Sequence, residues 1–241
     1  MSGGERGPAA DDQPIRITEE MLDVPRPVDT RIDFEQGMSY APPATLMLIV
    51  ALGAMFAWQL DAGALASQES IIAAGALARD RVMQGEWWRL LSATMLHGNA
   101  EHLVGNTVSL YILGMASEHA YGTRPMLLVY LASGVAGSLL SIAMGPGPSV
   151  GASGAIFGLM GAVMVLFWKH RHELLVRDKR IGVVIAAWAV FTIVTGLMVP
   201  MIDNAGHVGG LLGGIAAAWV IRPRILRRRV VYLASENYRI R

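Results

Sequence analysis

Six apolar blocks recur along the 241-residue chain, and no other feature of the sequence narrows the choice of fold as sharply. They run from Ala44 to Leu60, Glu101 to Ser117, Pro125 to Met144, Ala152 to Trp168, Ile181 to Val199 and Gly206 to Ile221. Each comes close to the ~20 residues that a helix needs to cross a bilayer. A backbone in lipid must satisfy its own polar groups, and a helix does so within one segment. The expected fold class is therefore all-α, a membrane bundle of six transmembrane helices. The composition agrees, with 53% hydrophobic and 16% charged residues.

The blocks also divide the chain. Residues 1–43 are polar and proline-bearing, and Asp11, Asp12, Glu19, Glu20, Asp23 and Asp29 contribute to an acidic excess. They are expected to form a disordered N-terminal cytoplasmic tail. Residues 44–222 form the core, with a membrane-surface loop at about 61–93 in which Trp87 and Trp88 stand beside Arg89 at the headgroup level. Residues 223–241 read as a basic cytoplasmic C-terminal tail. The first block lies too far from Met1 for a usual signal peptide, so it is expected to be retained, although Ala64-Leu65-Ala66 imitates a cleavage site. Lys169, Arg171, Arg177, Lys179 and Arg180 join blocks four and five, and Arg222, Arg224, Arg227, Arg228 and Arg229 follow block six. Basic residues stay on the cytoplasmic side, so both termini are expected there. With no cysteine and no targeting signal, a bacterial-type plasma membrane is the expected location.

Several classes of function drop out. The net charge is +1 and the aromatics are not interleaved with Lys or Arg, so nucleic acid is not an expected partner. The absence of cysteine excludes disulfides, thiolate metal sites and a cysteine nucleophile. His97 and His102 have no carboxylate or cysteine at ligand spacing, so neither a metal nor a cofactor is expected. Any nucleophile must be an oxygen.

Ser153 heads block four among Gly151, Gly154, Gly158 and Gly161, and His207 heads block six among Gly206, Gly209 and Gly210. Either residue alone reads as a packing feature, because small residues admit a neighbouring helix and a membrane serine usually bonds its own backbone. Their joint placement changes the reading. In the expected topology blocks two, four and six all run inward from the outer face, so Ser153 and His207 share a depth near that surface. Asn106 lies a few residues into block two, with His102 one turn above it on the same face. The thickness of the bilayer thus acts as a ruler that brings four polar groups to one level.

Serine is a weak nucleophile until a base takes its proton, and histidine is the side chain best tuned for that exchange. An attacked carbonyl becomes an oxyanion, which the Asn106 amide, the His102 imidazole and the Ser153 backbone N–H can stabilise by donation. No carboxylate is placed to orient His207, since Asp203 lies in the preceding loop and Glu118 toward the opposite face. Two catalytic residues are expected, not three. His97 falls ahead of its block and suits a structural role in the first loop, while His119, His170 and His172 are expected to be solvated.

Other functions can be set against this one. Gly151-Ala152-Ser153-Gly154-Ala155 departs from Gly-x-Ser-x-Gly at its last position and is flanked by membrane-length runs, which disfavours a soluble sheet-based hydrolase. A transporter would carry ionisable residues along a path through the membrane, whereas here they stop near one face. An inactive helix-binding relative would be expected to lack Ser153 or His207.

These residues carry a resemblance to the rhomboid intramembrane serine proteases. Gly151-Ala152-Ser153-Gly154 heads the fourth span, Gly206-His207 the sixth, His97, His102 and Asn106 match the family's histidine and asparagine pattern, and Trp88-Arg89 resembles its first-loop motif. The resemblance covers roughly Ala44 to Ile221. It implies Ser153 as nucleophile, His207 as base, His102 and Asn106 as oxyanion donors, Phe157 beside the catalytic histidine, and a structural Glu118. It further implies that the chain cleaves single-span membrane-protein substrates in or beside their transmembrane segments, in contact with membrane lipid. Span five and the loop after it are implied to close the site. Nothing in the sequence sets the oligomeric state.

Overall fold

The computed structural model describes residues 31–144, 147–176, 181–198 and 202–226. The expected tail over residues 1–30, the basic residues Arg177, Lys179 and Arg180, and the C-terminal residues 227–241 lie outside them.

Helix α1 (Pro43–Asp61) starts with proline at its first position, where the missing N–H costs nothing. Pro42, the residue ahead of it, has no side chain able to cap the exposed amides. A remote carboxylate does so: the backbone N–H groups of Ala44 and Thr45 donate to Glu118 at 3.1 and 3.0 Å, and the Thr45 hydroxyl donates at 3.0 Å. The loop beyond α1 folds into α2 (Gln68–Ala73), α3 (Arg79–Met83), α4 (Arg89–Ser92) and a 3-10 turn (Ala93–Met95). Helix α5 (Ala100–Tyr121) begins at Asn99, whose side chain accepts from the His102 N–H at 2.7 Å. α6 (Thr123–Met144), α7 (Ser153–Lys169), α8 (Ile181–Met198) and α9 (Asn204–Val220) follow.

α7 is the axis of the bundle. Its residues from Ala155 to Val163 are all buried, and α5, α6 and α9 pack around it. α7 and α9 meet backbone to backbone: a Cβ on Gly210 or Gly214 would collide with the carbonyl oxygens of Gly154 and Gly158. Only small residues allow that approach. α8 is attached far more lightly. Among its described side chains Ile185 and Ala189 are buried, while Val183, Phe191 and Leu197 are exposed.

Among the described residues three helices are long and apolar enough to cross a membrane: α1, α6 and α9, the last taken on to Leu226. α7 and α8 are apolar but shorter, and α7, with 17 residues, spans only about 25 Å against a hydrocarbon core of about 30 Å. α5 has the length, with 22 residues, but carries Glu101, His102, Asn106, Glu118 and His119.

Two boundaries differ from the sequence expectation. Residues 31–42 follow a defined course: β1 (Ile32–Asp33) pairs in parallel with β2 (Leu174–Leu175), and Phe34 is buried edge-on against His119 and Phe167. Phe34, an aromatic residue inside the stretch expected to be a tail, holds this segment on the core. At the other end Ile225 and Leu226 of the expected C-terminal tail pack into the core beyond Pro223, while Arg224 is exposed.

Candidate active site

Ser153 is the first residue of α7 and His207 the fourth of α9. Their placement follows from the way the chain enters each helix. Ahead of Ser153, Leu77 and Ser149 form an antiparallel bridge, and the Gly151 N–H donates to the Ala93 carbonyl at 2.9 Å. Gly151 has a φ of 129°, a backbone state that L side chains rarely adopt. Ahead of His207, Asp203 caps α9 by accepting from the Gly206 N–H at 2.8 Å, and its other oxygen accepts from the Ser141 hydroxyl of α6 at 2.5 Å. The cap therefore also ties α9 to α6.

Across the glycine-lined contact, His207 Nε2 and Ser153 Oγ are 2.9 Å apart. The Phe157 ring, one turn beyond Ser153, lies parallel to the His207 imidazole, with centroids 4.5 Å apart and planes 5° apart. This stacking limits rotation of the imidazole. His207 is buried, and among the described residues no group hydrogen-bonds its Nδ1. Asp203 is the nearby carboxylate, but its oxygens are engaged with Gly206 and Ser141.

His102 and Asn106 reach the same locus from α5. A Cβ on Gly151 would lie 2.6 and 2.7 Å from His102 Cε1 and Nε2, and 3.5 Å from Asn106 Nδ2. The four residues singled out from the sequence thus meet around residues 151–153. A cavity of about 30 Å³ borders Ser153, lined in part by Thr94, Ser138, Ser149 and Asp203, which is room for one water with polar partners. Chemically, the arrangement offers a hydroxyl against a base, beside amide and imidazole donors at the positive end of a helix.

His97, expected to have a structural role, supports these groups from beneath, and Gln59, which no sequence feature singled out, supports His97. Asn106 Nδ2 lies 3.0 Å from His97 Nε2, and His97 is fully buried. The main chain of His97 is in turn clamped by Gln59 of α1, which donates to its carbonyl and accepts from its N–H, both at 2.9 Å. Burial pushes the His97 imidazole down to about 4, with His102 adding to the effect, so it stays neutral as an acceptor for the Asn106 amide. Arg89 corrects an expectation: it is buried inside the loop, bonded to Glu86 and to the carbonyls of Ile72 and Ala76. Charge-assisted bonds to a carboxylate and to interior carbonyls satisfy the guanidinium within the loop. Of the histidines expected to be solvated, His119 is buried against Phe34, while His170 pairs with Glu173 at 2.7 Å.

The Rhomboid domain family matches residues 84–224. "Rhomboid protease GluP" of Bacillus subtilis (strain 168) is 40% identical over 177 residues, which is 73% of this chain and 34% of the relative. "RHOMBOID-like protein 5" of Arabidopsis thaliana is 37% identical, covering 61% of this chain and 48% of the relative. "Rhomboid protease AarA" of Providencia stuartii is 31% identical, covering 76% and 74% respectively. The chain therefore spans about a third to a half of the first two relatives and about three quarters of the third.

Proposed function

Since the chain belongs to the rhomboid family, we propose that it is an intramembrane serine endopeptidase that uses Ser153 and His207 as a catalytic dyad. The observation that carries the reading is the 2.9 Å approach of His207 Nε2 to Ser153 Oγ, with Phe157 stacked on the imidazole.

In this mechanism His207 Nε2 takes the Ser153 proton as Oγ attacks the scissile carbonyl, and the imidazolium then protonates the leaving amine. The tetrahedral oxyanion is held by donation from Asn106 Nδ2, His102 and the Ser153 N–H, where the free amides at the start of α7 favour negative charge. Water then hydrolyses the acyl-enzyme, and the small cavity beside Ser153 is a place to hold it. His207 is oriented by Phe157 in place of a third catalytic residue.

The substrate is the transmembrane segment of a single-span membrane protein. A helix hides its carbonyls in internal hydrogen bonds, so a segment with helix-weakening residues near its outer end presents them more readily. The lightly attached α8 is the side through which such a segment enters. α5, α7 and α8 complete six spans with α1, α6 and α9. Short helices then sit where the bilayer thins or water reaches the site, at fractions of a kcal/mol per ångström of mismatch. The chain is multi-pass in a bacterial-type plasma membrane with both termini cytoplasmic. Reconstitution with a labelled single-span substrate tests the assignment: cleavage by the intact chain and none by Ser153→Ala supports it, and equal cleavage by both refutes it.

A further inference from the structure

At the end of α7 opposite to Ser153, about 25 Å away along the helix, a groove of about 830 Å³ opens between α7, α8 and α9. Its size falls in the range of sites that hold small organic molecules. Met164, Phe167, Leu174, Val183 and Ile215 give it an almost wholly apolar wall. The rim is different in kind. Arg171 and His172 line it, both exposed, and no acidic residue is among the described residues that line it.

Two cations at this end, Arg171 and Lys169, bond to carbonyls, and Arg31 also lines the groove. Arg171 Nη1 donates to the Trp168 carbonyl at 2.9 Å, and Lys169 Nζ donates to the Trp219 carbonyl at 3.1 Å while lying 5.0 Å over the Trp219 ring. A carbonyl positions a cation without cancelling its charge. Trp168 and Trp219, which line the groove, stack at 5.7 Å. Amphipathic rings of this kind settle at the headgroup level of a bilayer. The nearby Glu173 is bonded to His170.

We propose that this groove is a binding site for an anionic phospholipid, with an acyl chain along the apolar wall and the phosphate at Arg171 and His172. The wall calls for a hydrocarbon chain, the rim for a negative headgroup, and the flanking tryptophans put the two at the boundary where a phospholipid has both. The site is separate from Ser153, and its test does not depend on proteolysis.

The full chain is placed in phosphatidylcholine nanodiscs. Either a phosphatidylglycerol or a phosphatidylcholine bearing a photoactivatable acyl chain is added at the same mole fraction, and the labelled peptides are mapped by mass spectrometry. The phosphatidylglycerol probe is expected to label peptides containing Met164, Phe167 or Ile215 more than the phosphatidylcholine probe, by about fivefold for the Arg171 charge. Arg171→Ala combined with His172→Ala should bring the ratio close to one, whereas Arg171→Lys should keep most of it. Ala186→Trp, which fills the groove, should reduce labelling by both probes, with helix content checked by circular dichroism. Equal labelling by the two probes in the unaltered chain overturns the proposal. So does labelling confined to other surfaces, displacement of the phosphatidylglycerol probe by a matched fatty acid but not by unlabelled phosphatidylglycerol, or protection of the groove by a second copy of the chain.

Discussion

The imidazole of His97 and the amide of Asn106 meet at 3.0 Å between His97 Nε2 and Asn106 Nδ2, both side chains buried. Because the amide nitrogen can only donate, His97 Nε2 acts as acceptor and its proton sits on Nδ1. One amide hydrogen of Asn106 is fixed in this way, which sets the direction of the other. His97 is thus a positioning residue for a proposed oxyanion donor.

His97→Ala is therefore expected to lower kcat by about tenfold, the value of roughly one hydrogen bond, with KM nearly unchanged. Asn106→Ala should cost more, about 10² to 10³ in kcat, as for loss of one oxyanion donor. Steady-state kinetics on a fluorogenic single-span substrate separates the two. A rise in KM at constant kcat in the His97 variant would show that the contact serves binding instead.

His97 also gives the protein a pH dependence of stability. Its folded value, about 4, lies below the ordinary 6.5, so the unfolded chain binds more protons between these limits. The contribution of neutral His97 is complete above about pH 6.5 and declines as the pH falls toward 4. The thermal midpoint in detergent should drop across that window, and His97→Gln should flatten this part of the profile. An unchanged slope in that variant would assign the acid sensitivity to other groups.

Glu118 accepts from two amides and a hydroxyl of α1 and from the Thr123 hydroxyl at 2.8 Å, within a buried setting. Glu118→Ala strands these donors, and a loss of about 2–4 kcal/mol follows from uncapping buried amides. Glu118→Gln retains an acceptor oxygen and should lose less. Unfolding curves for the two variants check the order, and a stable Glu118→Ala protein would show that water replaces the carboxylate.

Gly151 leaves no room for a side chain. Alanine there would strain the backbone at φ 129° by about 1–3 kcal/mol and press on His102. Gly151→Ala is expected to reduce kcat by at least about tenfold, with the bulk of the fold retained by circular dichroism. Full activity would mean that the segment carrying Ser153 relaxes easily.

The pairing of Ser153 with His207 was legible because the bilayer supplies a common depth scale, so two residues 54 positions apart could be matched without knowing how the helices pack. The glycines that join α7 to α9 carried their own signal in the spacing of Gly154, Gly158, Gly210 and Gly214. The Gln59 clamp on His97 carried none, since a glutamine near the end of an apolar helix looks the same whether it faces water or a buried loop. The β1–β2 pair was hidden for a related reason: two-residue strands separated by more than a hundred residues leave no local periodicity. Arg89 beside Trp88 fitted a headgroup anchor by composition alone, and only the fold of the loop turns it inward onto Glu86.

Activation of Ser153 by His207 is the central step of the proposed mechanism, and a phosphonofluoridate probe tests it directly. Attack by Ser153 Oγ forms a P–O bond and expels fluoride, leaving an adduct that peptide mass spectrometry can locate. The intact chain is expected to be modified at Ser153, and His207→Ala to react slower by at least about 10³, the loss that follows when a serine is left without its base. Modification of Ser153 at an undiminished rate in His207→Ala, or cleavage of a substrate by a chain whose Ser153 is blocked, would contradict it.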